Sequence, residues 1–186
     1  MKKVIFRFRG LWMALAAAAT LRVAAPSWAS YSLGLALACL GEAIRLWAIG
    51  YTGESTRKSS LNAPVLVTGG PYSLVRNPLY VGNLFNAAGV LTAAYGSEVR
   101  TLWAGVGLFW LVCLLYRSLI GLEEEFLLAR FGEEYRDYCC SVPSLWPRRW
   151  RCSGGSGLYS WRTGLRYEWT TLFWWLVIWG LLVSKV

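Results

Sequence analysis

Apolar residues in this chain come in long blocks, not at the two-residue spacing of a half-buried strand. A membrane-spanning helix needs about 20 mostly apolar residues. Five segments approach that length: about Phe6–Ala25, Tyr31–Tyr51, Leu79–Tyr95, Thr101–Leu122 and Trp169–Ser184. The pattern predicts an all-α fold, a polytopic membrane protein with about five transmembrane helices in one membrane domain over residues 1–186. The first block also has features of a secretory signal: the basic start "MKKVIFRFRG" and the small-residue run "SWAS". Trp12 and the spans that follow directly favour a retained helix.

The polar stretches between the blocks carry the charge. With the N-terminus in the cytoplasm, segments 1–10, 51–78 and 122–168 lie on that side and hold 14 of the 19 basic residues. The outer segments hold little beyond Arg22, Arg100 and Lys185. Both motif-rich segments described below then face the cytosol.

Composition agrees with the pattern. The chain has 186 residues, 56% hydrophobic, above the usual soluble range of about 45–50%. It carries a formal charge of +9 and 12 Trp. In "WPRRWRCSGGSGLYSWRTGLRYEW", Trp146 to Trp169, Arg alternates with Trp and Tyr, a mixture suited to the lipid headgroup layer. No nucleic-acid recognition motif accompanies the charge, so no nucleic-acid partner is expected. Gly154–Gly157 reads as a flexible joint, because a phosphate loop would need a following Lys-Ser/Thr and a preceding strand. The chain has no His, which excludes His-based metal sites, Ser-His-Asp triads and His general bases. Cys39, Cys113, Cys139, Cys140 and Cys152 form no CxxC pair, and no metal site is expected from them.

The densest turn chemistry lies in "GGPYSLVRNPLYVG", Gly69 to Gly82. Gly-Gly-Pro predicts a turn. Pro78 suits the first turn of a helix, which makes Asn77 the expected N-cap. Tyr80, Asn83 and Asn86 then follow a three-residue step and form a polar stripe. Such a stripe serves either a cavity or a neighbouring helix, with Gly82 and Gly89 allowing close contact. Both readings stand on the sequence.

The second rich stretch is "LIGLEEEFLLARFGEEYRDYCCSVPSLWP", Leu119 to Pro147. Glu123, Glu124 and Glu125 sit where the fourth block ends. Leu127, Phe131, Tyr135 and Tyr138 fall close to one helical face, so the segment is expected to continue as amphipathic helix. The three Glu are either a solvated helix turn or a group facing the Arg76 region.

Together these stretches resemble a known superfamily. Gly70-Pro71-Tyr72, Arg76-Asn77-Pro78, Tyr80 and Gly82 form its first motif. Glu123-Glu124, Leu127, Phe131-Gly132, Tyr135, Tyr138, Val142-Pro143 and Pro147 form its second. The pattern is similar to the membrane-embedded S-adenosylmethionine-dependent methyltransferases of the isoprenylcysteine carboxyl methyltransferase and phospholipid methyltransferase superfamily. The resemblance covers about residues 60–147. Residues 148–186, the basic-aromatic segment and an extra helix, lie outside it.

The resemblance implies S-adenosylmethionine as cofactor and a lipid or lipidated acceptor. It places Pro64, Val65, Leu66, Val67, Tyr72, Asn77, Pro78, Leu79, Tyr80 and Glu123 around the cofactor. It gives Arg76, Glu123 and Glu124 the catalytic positions, with Glu123 at the cofactor's polar end. Carboxyl O-methylation is the first expectation. Headgroup amine N-methylation, or a non-catalytic protein on the same scaffold, are its alternatives. Two positions depart from the pattern. Asn77 stands where His is usual, and Asn exchanges no proton at neutral pH. Leu119 stands where the carboxyl methyltransferases carry a substrate-side Arg, with Arg117 nearby but off that position.

Overall fold

The computed structural model describes residues 9–53, 63–148 and 155–186. Among them are six α-helices and no strand: α1 Arg9–Val23, α2 Trp28–Thr52, α3 Pro78–Tyr95, α4 Val99–Phe131, α5 Glu133–Ser141 and α6 Trp161–Val183. A 3₁₀ turn, Gly70–Ser73, precedes α3. Each of the five apolar blocks falls on a helix; residues 6–8 of the first lie outside the described residues. Two of the described helices, Trp28–Thr52 and Thr101–Phe131, are long and apolar enough to cross a membrane by length and composition.

The most extensive packing is α2 against α3, then α6 against α2 and α4 against α3. Small residues make the first contact close. A Cβ added at Gly82 would lie 2.6 Å from the Gly41 carbonyl oxygen, and one at Gly89 would lie 2.5 Å from that of Gly34. The two backbones therefore touch with no side chain between them. At one end of the bundle, Ala24, Ala38, Ala93, Ala94, Tyr95, Trp179 and Leu182 form a buried cluster. Ser27 and Ser30 close a reciprocal capping box at the start of α2, and the Ser30 hydroxyl also donates to the Ala93 carbonyl at 3.3 Å.

α4 differs from the other long helices. At 33 residues it runs about 50 Å. Trp103, Trp110, Leu111 and Leu114 along it are exposed. It carries the three Glu on the same continuous helix and stops at Gly132, whose φ of 56° lies in the left-handed region. The expected amphipathic continuation is therefore two helices joined at Gly132. Its apolar face survives the break: Tyr135 and Tyr138 bury against Leu66, flanked by Leu127 and Phe131.

Two sequence expectations change. α6 begins at Trp161, capped by Ser160, so part of the basic-aromatic segment is helical. And residues 155–157 are no loose joint. The Ser156 carbonyl accepts from the N–H groups of Thr68 and Gly69 at 3.2 and 3.0 Å. The Ser156 hydroxyl bonds the Leu66 carbonyl and lies 3.2 Å from the Thr68 hydroxyl.

Candidate active site

The site forms where three pieces of chain meet: the loop before α3, the end of α4, and the segment after α5. The 3₁₀ turn sets the first piece. Gly70 takes φ 60°, and a Cβ there would collide with the Tyr51 ring. The turn buries Tyr72, whose hydroxyl lies 3.5 Å from that of Thr52 at the end of α2. The Tyr72 carbonyl accepts a 2.6 Å hydrogen bond from the buried Tyr138 hydroxyl on α5.

Arg76 joins the three pieces. Its Nε donates to Glu124 Oε1 at 3.1 Å, and Nη2 is ion-paired with the same oxygen at 3.0 Å. Its Nη1 donates to the carbonyls of Cys139 and Val142 at 3.2 and 2.7 Å. Its backbone N–H reaches the Pro143 carbonyl at 2.8 Å. Asn77 is at the cap position before Pro78, but its side chain makes no cap bond. Its amide instead donates to Glu124 Oε1 and the Ser144 hydroxyl, both at 3.0 Å. Ser144 in turn donates to Glu124 Oε1 at 3.2 Å. Glu124 is thus the hub of a polar knot, and the Asn77 amide is used in building it.

The electrostatics follow from this packing. Burial works against the Arg76 cation, but Glu124, with Cys139 and Tyr135, outweighs it and holds the guanidinium above its ordinary pKa. Burial pushes the Tyr72 phenol up, and the nearby Glu123 charge adds to this. Burial likewise raises Tyr135, reinforced by Glu124, and raises Tyr138, reinforced by Tyr72. The three rings stay neutral phenols beside two carboxylates.

The structure brings together Leu66, Tyr72, Arg76, Asn77, Glu123 and Glu124. Pro64 and Val65 face outward, and Val67 and Leu79 are half-buried. Pro78 is buried at the start of α3. Tyr80 goes elsewhere, stacking edge-on to Tyr116 at 5.3 Å in a cluster with Leu119 and Ile120. That cluster also explains Leu119: it fills an apolar contact, while Arg117 is exposed. Asn83 and Asn86 face a different polar group, on α2 and α6. Sequence reading missed Ser144 as a site residue; its one signal is a polar side chain directly after Val142-Pro143.

The phospholipid methyltransferase family model matches residues 29–134, more than half of the chain. The chain belongs to that family. It is 37% identical over 116 residues to the cobalt-zinc-cadmium resistance protein CzcN of Cupriavidus metallidurans, covering 62% of this chain and 47% of the relative. It is 35% identical over 116 residues to the nickel-cobalt-cadmium resistance protein NccN of Alcaligenes xylosoxydans xylosoxydans, with the same coverage. It is 37% identical over 115 residues to a protein-S-isoprenylcysteine O-methyltransferase of Schizosaccharomyces pombe, covering 59% of this chain and 46% of that protein. The chain spans about half the length of the curated relatives it matches. No solved structure matches it.

Proposed function

We propose that this chain is a polytopic membrane enzyme that transfers a methyl group from S-adenosylmethionine to a lipid-attached or amphipathic acceptor. The observation that carries the reading is the convergence of the Leu66–Asn77 segment with Glu123 and Glu124 at one place, in a chain of this family. Residues 60–147 hold the methyltransferase core motifs within a single membrane domain.

The residues suit the cofactor. A sulfonium is stabilised by carboxylates and by aromatic faces. Glu123 and the Tyr72 and Tyr138 rings offer both, and Leu66 supplies an apolar wall beside them. When bound, S-adenosylmethionine would supply an electrophilic methyl group. The chain's part is to align acceptor and donor for in-line displacement, which provides much of the rate. Glu123 would hold the cationic end. Arg76 and Glu124 act one step back: three guanidinium N–H groups donate to Glu124, Cys139 and Val142, and Nη2 is ion-paired with Glu124. Arg76 thereby fixes the roof over the site.

Five spans, with the N-terminus and site on the cytoplasmic side, are supported by the basic residues of the inner segments and by the exposed apolar face of α4. The acceptor is first a carboxylate, as the name of the S. pombe relative suggests. A carboxylate needs no general base, consistent with Asn at position 77. The family's name favours a second acceptor, the amine of a phospholipid headgroup. Labelled-methyl transfer in native membranes separates the two: base-labile label reports an ester, base-stable label in lipid reports an amine. Purified protein without saturable S-adenosylmethionine binding by calorimetry would leave only the scaffold reading.

A further inference from the structure

A second polar group lies inside the bundle, away from the site. Arg45 of α2 donates through Nε to Glu168 Oε1 of α6 at 2.9 Å, and Nη2 meets the same oxygen. Its Nη1 meets Asn83 Oδ1 of α3. Glu42, one turn earlier on α2, places Oε2 3.7 Å from Arg45 Nε and accepts from Asn86 Nδ2 at 3.1 Å. Asn86 Oδ1 accepts from Trp175 Nε1 at 3.0 Å. Glu42 is 5% exposed and Glu168 1%. The titratable and charged groups here are Glu42 and Arg45 from α2 and Glu168 from α6, with Tyr72 of the 3₁₀ turn near Arg45.

The count does not balance. Two carboxylates share one guanidinium. Glu42 Oε1 and Glu168 Oε2 are buried with no hydrogen-bond partner among the described residues. The two carboxyl groups flank the same guanidinium nitrogen, Glu168 Oε1 at 2.9 Å and Glu42 Oε2 at 3.7 Å from Arg45 Nε. An isolated net charge in such a place is costly, and so are two orphan acceptors. One proton resolves both. It removes the excess charge, and as an O–H it joins one orphan oxygen to the other.

We infer that Glu42 carries a proton on Oε1 and donates it to Glu168 Oε2, so that Glu42, Arg45 and Glu168 form a neutral proton-binding triad tying α6 to α2 and α3. The proton belongs on Glu42. Glu168 takes the direct guanidinium bonds, whereas Glu42 has one amide donor and a longer approach to Arg45. This inference does not depend on the methyl-transfer reading.

Infrared difference spectroscopy of the full chain in lipid nanodiscs tests it. Wild type at neutral pH should show the C=O stretch of one buried carboxylic acid, shifting in D₂O. Glu42→Gln should remove that band and still fold, because the Gln amide N–H can replace the O–H. Arg45→Gln should raise the signal to two acids, since neither carboxylate then has a counter-ion. The inference fails if wild type lacks the band, if Glu42→Gln leaves it in place, or if Glu42→Gln does not fold. It also fails if thermal stability rises with sodium or potassium at fixed ionic strength, which would put a metal cation in the proton's place.

Discussion

Arg76 and Glu124, 48 residues apart, meet through two guanidinium nitrogens on a single carboxylate oxygen, at 3.1 and 3.0 Å. The pair closes the end of α4 onto the start of α3, and the Arg76 Nη1 bonds to Cys139 and Val142 add the last turn of α5 and the residue after it. Glu123, its neighbour, lies on the Tyr72 side. The two adjacent carboxylates therefore do different work, and charge-removing substitutions should separate them.

Glu123→Gln should lower methyl transfer by about a hundredfold, the usual scale for one preorganised electrostatic contact. Glu124→Gln should lower activity and also cost about 2 kcal/mol, because a partly buried guanidinium loses its counter-ion. Thermal unfolding alongside initial rates checks both. Full activity in Glu123→Gln, or full stability in Glu124→Gln, would refute these assignments.

Tyr138 and Tyr135 give a second contrast. The Tyr138 hydroxyl holds the Tyr72 carbonyl at 2.6 Å, while the Tyr135 hydroxyl is buried with no hydrogen-bond partner among the described residues. Tyr138→Phe should cost about 1 kcal/mol or more, since it leaves a buried carbonyl unpaired. Tyr135→Phe should be neutral or slightly stabilising. Paired denaturation curves decide it.

The same rings set an alkaline limit. Tyr72, Tyr135 and Tyr138 all have folded pKa values above the unfolded value of about 10. The folded state thus holds protons that the unfolded chain releases. Their contribution is complete below about pH 10 and drains away as pH climbs toward the folded values. Melting temperature should fall as pH passes 10, and less steeply in Tyr135→Phe than in wild type.

Much of this was legible in the sequence. Helices showed as apolar blocks because their exposed faces carry large apolar residues, Trp103, Trp110, Trp174 and Leu176 among them, as well as their packed faces. The Gly70-Pro71 turn and the α3 start at Pro78 were readable because both rest on local backbone chemistry. That a Glu of the triplet faces Arg76 was one of two open readings of the sequence; that Glu124 is the one that pairs with it was not legible, since nothing local links residues 48 apart. What stayed hidden was long-range. The Asn77 amide leaves its cap for Glu124 and Ser144, and Tyr80 turns to Tyr116. The Asn83–Asn86 stripe was ambiguous between a cavity and a helix partner, and its partners Glu42, Arg45 and Trp175 lie on two other helices.

Ser156 was hidden in the same way, as part of a Gly-rich stretch that composition reads as loose. Its hydroxyl and backbone hold Leu66, Thr68 and Gly69, the run proposed to wall the cofactor. Ser156→Ala should raise the KM for S-adenosylmethionine about fivefold, the equivalent of one hydrogen bond of about 1 kcal/mol, with kcat little changed. Gly155→Ala should act more strongly, because its Cβ would lie 2.6 Å from the Thr68 carbonyl carbon and 2.7 Å from the Gly69 nitrogen. Unchanged KM in both would remove the segment from the site.

Two glycines on helices should respond to alanine with opposite signs. A Cβ at Gly41 would sit 2.6 Å from the Gly82 carbonyl oxygen and 2.8 Å from the Asn86 nitrogen, both backbone atoms that cannot step aside. Gly41→Ala must push α2 from α3, at a cost of about 1–3 kcal/mol. It would also strain the Glu42–Asn86 contact next to it. At Gly107 on α4 an added Cβ meets nothing within 4 Å. There alanine only removes backbone freedom from a helix interior, so Gly107→Ala should stabilise by about 0.5–1 kcal/mol. Unfolding of both variants in one detergent measures the difference directly. If Gly41→Ala proves as stable as wild type, the α2–α3 contact is looser than these distances require.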